Sequence, residues 1–441
     1  MDEVDRTRDG RAVPSRTSSA ELPGRAKQRA VCVGAMPEGD LAELKELLRT
    51  AGVAVVGEVI QRRDKPHPNL YLGSGKVQEV KELVASADAN LVACDDELSP
   101  RQERNLEKEL GVPVIDRTAV ILDIFAGHAH SADGKLQVEL AQLEYNHARM
   151  RGLWTHLERL GGGIGTRGPG ESQIETDRRL ARDRIAALRR RLGHVVSTRE
   201  VMRAERERAH LPTVALVGYT NAGKSTLLNA LTGSEVGVRD RLFHTLDPTT
   251  RSLRLDGRPY LVTDTVGFIR KLPHQLVDSF GATLEETRRA DLLLHVVDAS
   301  ADEEELEAMT RAVDDVLDDI GAGDRPRLLV LNKADAVDDE RRRELAFRHP
   351  DAVVVSALTG ENLEGLGERI AAEFERTLQD IELLVPFSEG GTLSELHDVA
   401  GDLEREDTPA GVRVSVRLPA VVAERFDRYA VDGARNGRPA A

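Results

Sequence analysis

The chain has 441 residues, 40% hydrophobic and only 3% aromatic, with a formal net charge of −15. At roughly 150 residues per domain it is long enough for about three domains, with cores built from Val, Leu, Ile and Ala. The acidic balance excludes a protein that coats DNA by bulk charge, but not a local basic patch. No apolar run approaches the roughly 18 residues a membrane span needs, and no signal-peptide pattern opens the chain.

Residues 1–29 mix charge, Ser and Pro without apolar periodicity and are expected to form a disordered tail. RAVCVG then reads as a strand, and LAELKELLRTAG as a helix with Leu41, Leu44, Leu47 and Leu48 on one face, stopping at Gly52. VAVVGEVIQ, NLVACDDE and VPVIDR read as further strands, with KVQEVKELVAS and SPRQERNLEKELG as the helices between them. This alternation predicts a compact α/β domain over residues 30–130. Cys32 and Cys94 lie in its apolar strands, too far apart for a metal motif, and read as buried thiols in a reducing, cytoplasmic compartment. LGSGK at 72–76 lacks phosphate-loop spacing and reads as a plain turn. His128 and His130 have no partners at ligand spacing and read as loop residues.

Residues 131–210 have a different texture. Leu136, Leu140, Leu143, His147, Met150, Trp154 and Leu157 recur at alternating steps of four and three, as do Ala181, Ile185, Leu188, Leu192 and Val195. Both are seams of the coiled-coil kind. Between them GGGIGTRGPG, residues 161–170, carries six glycines and a proline, which no helix can run through. The expectation is a long antiparallel helical hairpin arm with a glycine-rich tip, its second helix on the order of 50 Å long for roughly 36 residues. Residues 149–210 hold 15 Lys or Arg against 8 Asp or Glu, whereas the segments on either side are net acidic. Such an arm either presents its positive charge to an anionic partner such as nucleic acid or is a solvated face of i,i+4 ion pairs. Arg167 in the tip favours the first reading, and Arg151, Arg167, Arg178 and Arg179 are the candidate RNA contacts.

From residue 211 the chemistry is explicit. TVALV, an apolar strand, runs into GYTNAGKS and then into TLLNALTG, a helix, which is the phosphate-loop spacing G-x-x-x-x-G-K-S from Gly218 to Ser225 in its strand–loop–helix context. Gly218 and Gly223 allow a tight turn that aims successive N–H groups at phosphate oxygens, and the helix N-terminus adds positive potential. Lys224 supplies a full charge to the β- and γ-phosphates, and the Ser225 hydroxyl is a Mg²⁺ ligand. DTVG at 264–267 ends a later strand, with Asp264 placed to hold the Mg²⁺ shell through water and the Gly267 N–H to sense the γ-phosphate. NKAD at 332–335 reads guanine: the Asp335 carboxylate accepts from N1–H and the exocyclic amine, and the Lys333 stem covers the base. Adenine lacks that pair of donors and would leave the carboxylate unpaired. In AVVVSALTG, Ser356 and Ala357 stand at a strand end where a backbone N–H can meet guanine O6. Four such motifs in order, each at a strand's C-terminal end, describe a guanine-nucleotide site.

Between the first two motifs, RDRLFHTLDPTTR (239–251) holds a Thr that completes the Mg²⁺ shell when the γ-phosphate is present. Thr245 is the first choice, with Thr249 and Thr250 as rivals. SLRLD and YLVTDT, joined across Gly257, predict a hairpin and hence one antiparallel strand. Loops 240–251 and 264–280 are the natural order–disorder switches. Lys224, Thr245 and Gly267 are the candidate catalytic residues. The nucleotide-contacting set comprises Gly218, Tyr219, Thr220, Asn221, Ala222, Gly223, Lys224, Ser225, Phe243, His244, Thr245, Leu246, Asp247, Asp264, Thr265, Val266, Gly267, Asn332, Lys333, Ala334, Asp335, Ser356, Ala357 and Leu358. Ser225, Thr245 and, through water, Asp264 are the metal set. Phe268 stands where many GTPases carry a water-orienting glutamine, so it predicts slow intrinsic hydrolysis, or is a core contact of the switch, or both. Asn221 either helps hold K⁺ beside the phosphates or caps the loop backbone. Residues 381–441, with the alternating GVRVSVRLP and the helix-like AVVAERFDRYA, predict a small α/β domain.

On GGGIGTRGPGESQIETDRR (161–179), FHTLDPTTR (243–251) and DTVGFIRKLPHQLVDSF (264–280), the chain resembles the HflX family of ribosome-associated GTPases, in the translation-factor-like Obg–HflX branch. The resemblance covers residues 30–430 and departs at Gly281, where a basic residue is expected. The chain reads as α/β in four parts: the N-terminal α/β domain (30–130), the arm (131–210), a doubly wound P-loop GTPase domain (211–380) and the C-terminal domain (381–441). The resemblance implies GTP turnover with Mg²⁺, binding of the large ribosomal subunit through the arm, and splitting or rescue of ribosomes; with Phe268 predicting slow intrinsic hydrolysis, ribosomes are expected to stimulate the turnover. A monomer with no DNA partner is expected. Two alternatives stay open: an RNA-binding or ribosome-assembly module in which turnover is incidental, and a signalling GTPase whose arm grips a protein.

Overall fold

The computed structural model describes residues 28–37, 39–150, 175–193, 211–233, 242–243, 245–271, 273, 281–376, 378–400 and 403–431. Residues 1–27 of the expected tail and the glycine-rich tip lie outside these residues, while Arg29, at the expected end of the tail, already opens the first strand.

Four parallel strands in the order β2–β1–β3–β4 build the N-terminal sheet: β1 (Arg29–Met36), β2 (Ala54–Arg62), β3 (Leu91–Cys94) and β4 (Val114–Asp116). β1 is buried along almost its whole length, as a strand covered on both faces must be. Helix α1 (Ala42–Thr50) puts Leu44, Leu47 and Leu48 into one face of the sheet. Helices α2 (Ser74–Ser86) and α3 (Pro100–Leu110) cover the other. LGSGK is not a free turn: Gly73 caps α2, which begins at Ser74. Cys32 and Cys94 are both buried and free. Helix α4 (Arg117–His128) follows β4 directly, so His128 closes a helix rather than lying in a loop.

Helix α5 (Ala132–Arg149) is capped by Ser131, whose hydroxyl accepts from Gly134 N. Its buried face is Gln137, Val138, Ala141 and Tyr145, with Leu140 beside it, and α5 packs on α4. On helix α6 (175–193) the expected stripe holds at Ala181 and Leu188, both buried, while Arg179, Arg182, Arg190 and Arg191 face solvent. Exposed ion pairs Glu139–Arg184 and Glu144–Arg189 tie α6 to α5.

The second sheet has six strands in the order β10–β9–β8–β5–β7–β6. β5 (Thr213–Gly218), β7 (Arg258–Asp264), β8 (Leu292–Asp298), β9 (Arg327–Asn332) and β10 (Val353–Val354) run parallel. β6 (Thr249–Leu255) pairs antiparallel with β7 across Asp256–Gly257, both at positive φ (48° and 79°) as a two-residue hairpin turn requires. A third sheet, of β11 (Leu378–Val385), β12 (Glu404–Thr408) and β13 (Gly411–Pro419), is antiparallel and is covered by the helix Gly390–Ala400.

One hydrophobic cluster runs without interruption from the N-terminal domain (Leu44, Leu47, Ile121, Phe125) into the nucleotide domain (Leu242, Phe243, Leu246, Val266, Phe268, Ile269). The second group belongs to the two segments expected to switch, so these described residues of both segments pack against the N-terminal domain. Among the described residues, no helix is long and apolar enough to cross a membrane.

Candidate active site: a phosphate loop seated between two domains

β5 ends at Gly218 with φ +150°, where a Cβ would drive into the Val296 carbonyl of the neighbouring strand, so only glycine lets the loop leave the sheet here. The loop turns through Asn221 (φ 62°) and Gly223 (φ 90°) into helix α7 (Lys224–Thr232). The first turn of α7 therefore opens on the concavity formed by the loop backbone, an anion site of helix N-terminal N–H groups. Lys224 is buried, its ammonium donating to Gly218 O (3.0 Å) and Tyr219 O (2.8 Å). Desolvation lowers its pKa to about 8, opposed in part by the Asp264 charge.

Ser225, Thr245 and Asp264 come together across 39 positions of sequence: the Ser225 hydroxyl lies 2.7 Å from Thr245 Oγ1 and donates to Asp264 Oδ2 at 2.6 Å. Asp264 is fully buried, and burial raises its pKa despite Lys224, Ser225 and Thr245. Its Oδ1 is a buried oxygen without a hydrogen-bond partner. An all-oxygen donor set with one orphaned carboxylate oxygen fits a hard divalent ion such as Mg²⁺. Of the three candidate threonines, Thr245 is at this site; Thr250 instead bonds Thr263 within the β6–β7 pair.

Val266 and Thr265 are buried, Thr265 Oγ1 donating to Leu216 O at 2.7 Å. At Gly267 a Cβ would come within 2.9 Å of Thr220 Cα and 3.0 Å of the Lys224 ammonium, so glycine keeps the space beside the lysine open. Phe268 then pairs with the phosphate loop itself, its N–H donating to Gly218 O and its carbonyl accepting from Thr220 N (3.1 and 2.8 Å). Its ring is 1% exposed, a core contact of the switch with no hydrogen-bonding capacity.

At the base end, Asn332 braces the site, its amide donating to Ala222 O (2.9 Å) and accepting from Ala357 N (3.0 Å). Lys333 sits at φ 66° with its ammonium 2.6 Å from Asp298. The Ser356 hydroxyl donates to Asp335, orienting the carboxylate, and Ala334 N donates to Val355 O. Leu358 is exposed. The remaining expected residues divide. His244, Arg151 and Arg167 lie outside the described residues. Phe243 is buried edge-on against Phe125 of α4 (centroids 4.7 Å apart), and Leu246 is buried in the same cluster. Asp247, expected at the nucleotide, has its carboxylate committed to the start of α5, where Ser131 N and Ser131 Oγ donate to it.

Sequence reasoning missed a polar network that joins phosphate loop, switch and N-terminal domain. The Tyr219 hydroxyl donates to Glu43 of α1 and accepts from Arg270 N (2.9 Å). Arg117, buried at the start of α4, donates to Glu43 (2.6 Å), Asp95 (3.0 Å) and Arg270 O (2.9 Å). Lys271 donates to Asp95 (2.8 Å) and Asp96 (2.5 Å). The available signal was an arginine directly after a buried strand in VIDRTAV, which marks a buried charge but not its partners.

Residues 38–126 match the family described as "GTP-binding GTPase N-terminal", 128–206 "GTP-binding GTPase Middle Region" and 213–333 "50S ribosome-binding GTPase". A GTPase HflX from Lacrimispora saccharolytica is 46% identical over 398 residues, covering 89% of this chain and 93% of that protein. The chain belongs to the HflX family of GTPases. The HflX of Escherichia coli strain K12 is 45% identical over 390 residues, 87% of this chain and 90% of its own. A crystal structure of a GTP-binding protein from Sulfolobus solfataricus in complex with GDP is 27% identical, covering 77% of this chain and 97% of that one, with a TM-score of 0.40. As an HflX-family member the chain is a P-loop GTPase, with its phosphate loop at Gly218–Ser225.

Proposed function

We propose that this protein binds and hydrolyses GTP with Mg²⁺, binds the large ribosomal subunit through the basic arm, and separates ribosomal subunits when GTP is bound. The observation that carries the catalytic part is the convergence of Ser225, Thr245 and Asp264 beside Lys224. Ser225 and Thr245 would hold the Mg²⁺ directly and Asp264 through water. The ion, when bound, neutralises charge on the phosphate oxygens. Lys224 turns from the Gly218 and Tyr219 carbonyls to the phosphates, and the Asp335 carboxylate selects guanine.

Because the Phe268 ring cannot orient water, intrinsic turnover is slow. Ordering of loops 240–251 and 264–280 on the ribosome, or K⁺ held by Asn221, supplies the missing charge or alignment, worth roughly 10³–10⁵ in rate. Support for RNA as the partner is the net positive charge of residues 149–210 in an acidic chain and the solvent-facing arginines of α6.

The test is GTP turnover with and without large subunits, in K⁺ and in Na⁺ at equal ionic strength, together with sedimentation of 70S ribosomes. Stimulated turnover and subunit separation are expected, with binding that weakens steeply as salt rises. Unchanged turnover would remove the ribosome as activator. Binding indifferent to salt would favour a protein partner. Subunit separation that survives Ser225→Ala would favour the assembly-module reading.

A further inference from the structure

We infer that Asp247 and the N-terminus of α5 position Thr245, so that the N-terminal domain helps to set the magnesium shell through that residue. The inference rests on the reading of Thr245 as part of that shell. Thr245 Oγ1 lies 2.7 Å from Ser225 Oγ, and two residues later the Asp247 carboxylate accepts from Ser131 N (2.8 Å), His130 N (3.3 Å) and the Ser131 hydroxyl. Two residues of extended chain reach at most about 7 Å. A displacement of Asp247 must therefore pass to Thr245 or be absorbed by Leu246, which is itself 2% exposed and packed in the shared core.

The other side of the contact is shaped for it. Ser131 caps α5, its hydroxyl accepting from Gly134 N at 2.8 Å while donating to Asp247, so one hydroxyl serves both the helix and the switch. A negative carboxylate at the end of a helix where free N–H groups collect is a favourable pairing. Gly134 stands in the first turn, and a Cβ there would fall well inside van der Waals contact of Asp247 Oδ1. Alanine would be the better helix former at such a position, so the absent side chain serves the approach of the switch and not the helix. Phe243 on Phe125 fixes the same loop from the other side of Thr245. The loop that completes the metal site is thus held at both ends by α4 and α5.

Ser131 and Gly134 lie far from the nucleotide in sequence and have no chemistry to offer it, which makes them clean probes. Ser131→Ala and Gly134→Ala are each expected to lower kcat for GTP about tenfold and to raise the Mg²⁺ concentration needed for half-maximal turnover, a coupling of ordinary size for two linked sites. KM for GTP and affinity for GDP, which depend on the phosphate loop and Asp335, should change less than twofold. Ser131→Thr keeps the hydroxyl and should restore the wild-type Mg²⁺ dependence. In a Thr245→Ala background Gly134→Ala should cause no further loss. The inference is overturned if Ser131→Ala and Gly134→Ala keep wild-type kcat and Mg²⁺ dependence while Thr245→Ala is impaired. Equal loss of GDP and GTP binding would also overturn it, in favour of a plain stability role. If Thr245→Ala itself shows wild-type Mg²⁺ dependence, the reading of the metal site fails instead.

Discussion

Replacing Arg117 with methionine, which is close to it in length, removes three donated bonds at once: to Glu43, to Asp95 and to the Arg270 carbonyl. Arg117 is 2% exposed, Asp95 9% and Glu43 26%, so the carboxylates left behind have little water to turn to. Burial works against the arginine's charge, but Glu43 and Asp95 more than offset it and raise its pKa. Breaking a buried ion pair by deleting one partner costs about 3–5 kcal/mol. Asp95 keeps Lys271 and Glu43 keeps the Tyr219 hydroxyl, which places the loss at the lower end, about 3 kcal/mol. For a cooperative unit of 150–250 residues that is a fall in Tm of at least ~6 °C. Differential scanning calorimetry of wild type and Arg117→Met reads it directly. Arg117→Lys, which reaches one carboxylate but not the fork, should fall between them. A shift below about 2 °C would mean that the network does not hold the two domains together. The reasoning would then be wrong at its base.

Three further outcomes follow from the same geometry. Asp335→Asn exchanges an acceptor pair for one donor and one acceptor, so GTP affinity should fall by a factor of about 10³ or more and xanthosine triphosphate should bind in its place; retained GTP binding measured by calorimetry would disprove the guanine assignment. Lys224 has a pKa lowered to about 8, and phosphates must raise it on binding. Nucleotide binding is therefore at full strength below that pH and is lost as pH rises through it. GDP affinity at about pH 8.5 should be about fourfold weaker than at pH 7, with net proton uptake in calorimetry, and a flat profile would contradict the buried lysine. Burial pushes the Cys32 thiol up to about 12 and Cys94 well above its usual range, so neither should react with a thiol reagent at pH 8 until the chain is unfolded. Reaction of the native protein would show that one of the two strands opens.

The sequence made legible what is local. Gly218–Ser225, Asp264–Gly267, Asn332–Asp335 and Ser356–Ala357 each announce themselves by spacing, and Thr245, the first choice among three threonines, is the one that lies beside Ser225. The β6–β7 hairpin was marked by Asp256–Gly257 and the N-terminal sheet by its alternation with helices. What stayed hidden is pairing over long separations: Lys271 with Asp95 is 176 residues apart and Asp247 with Ser131 is 116. Periodicity reports which face of an element is buried, but not which distant charge a buried arginine meets. For the same reason the seam read in α5 was only partly right. Leu136 and His147 are only partly buried, whereas Leu140 of the seam and Val138, Ala141 and Tyr145 outside it are buried.

If the nucleotide governs how the basic arm meets ribosomal RNA, the sharpest measurement is retention of the protein on large ribosomal subunits with a non-hydrolysable GTP analogue against GDP at one fixed ionic strength. Firm retention with the analogue and release with GDP is the expected result. Equal retention in the two nucleotides would contradict it.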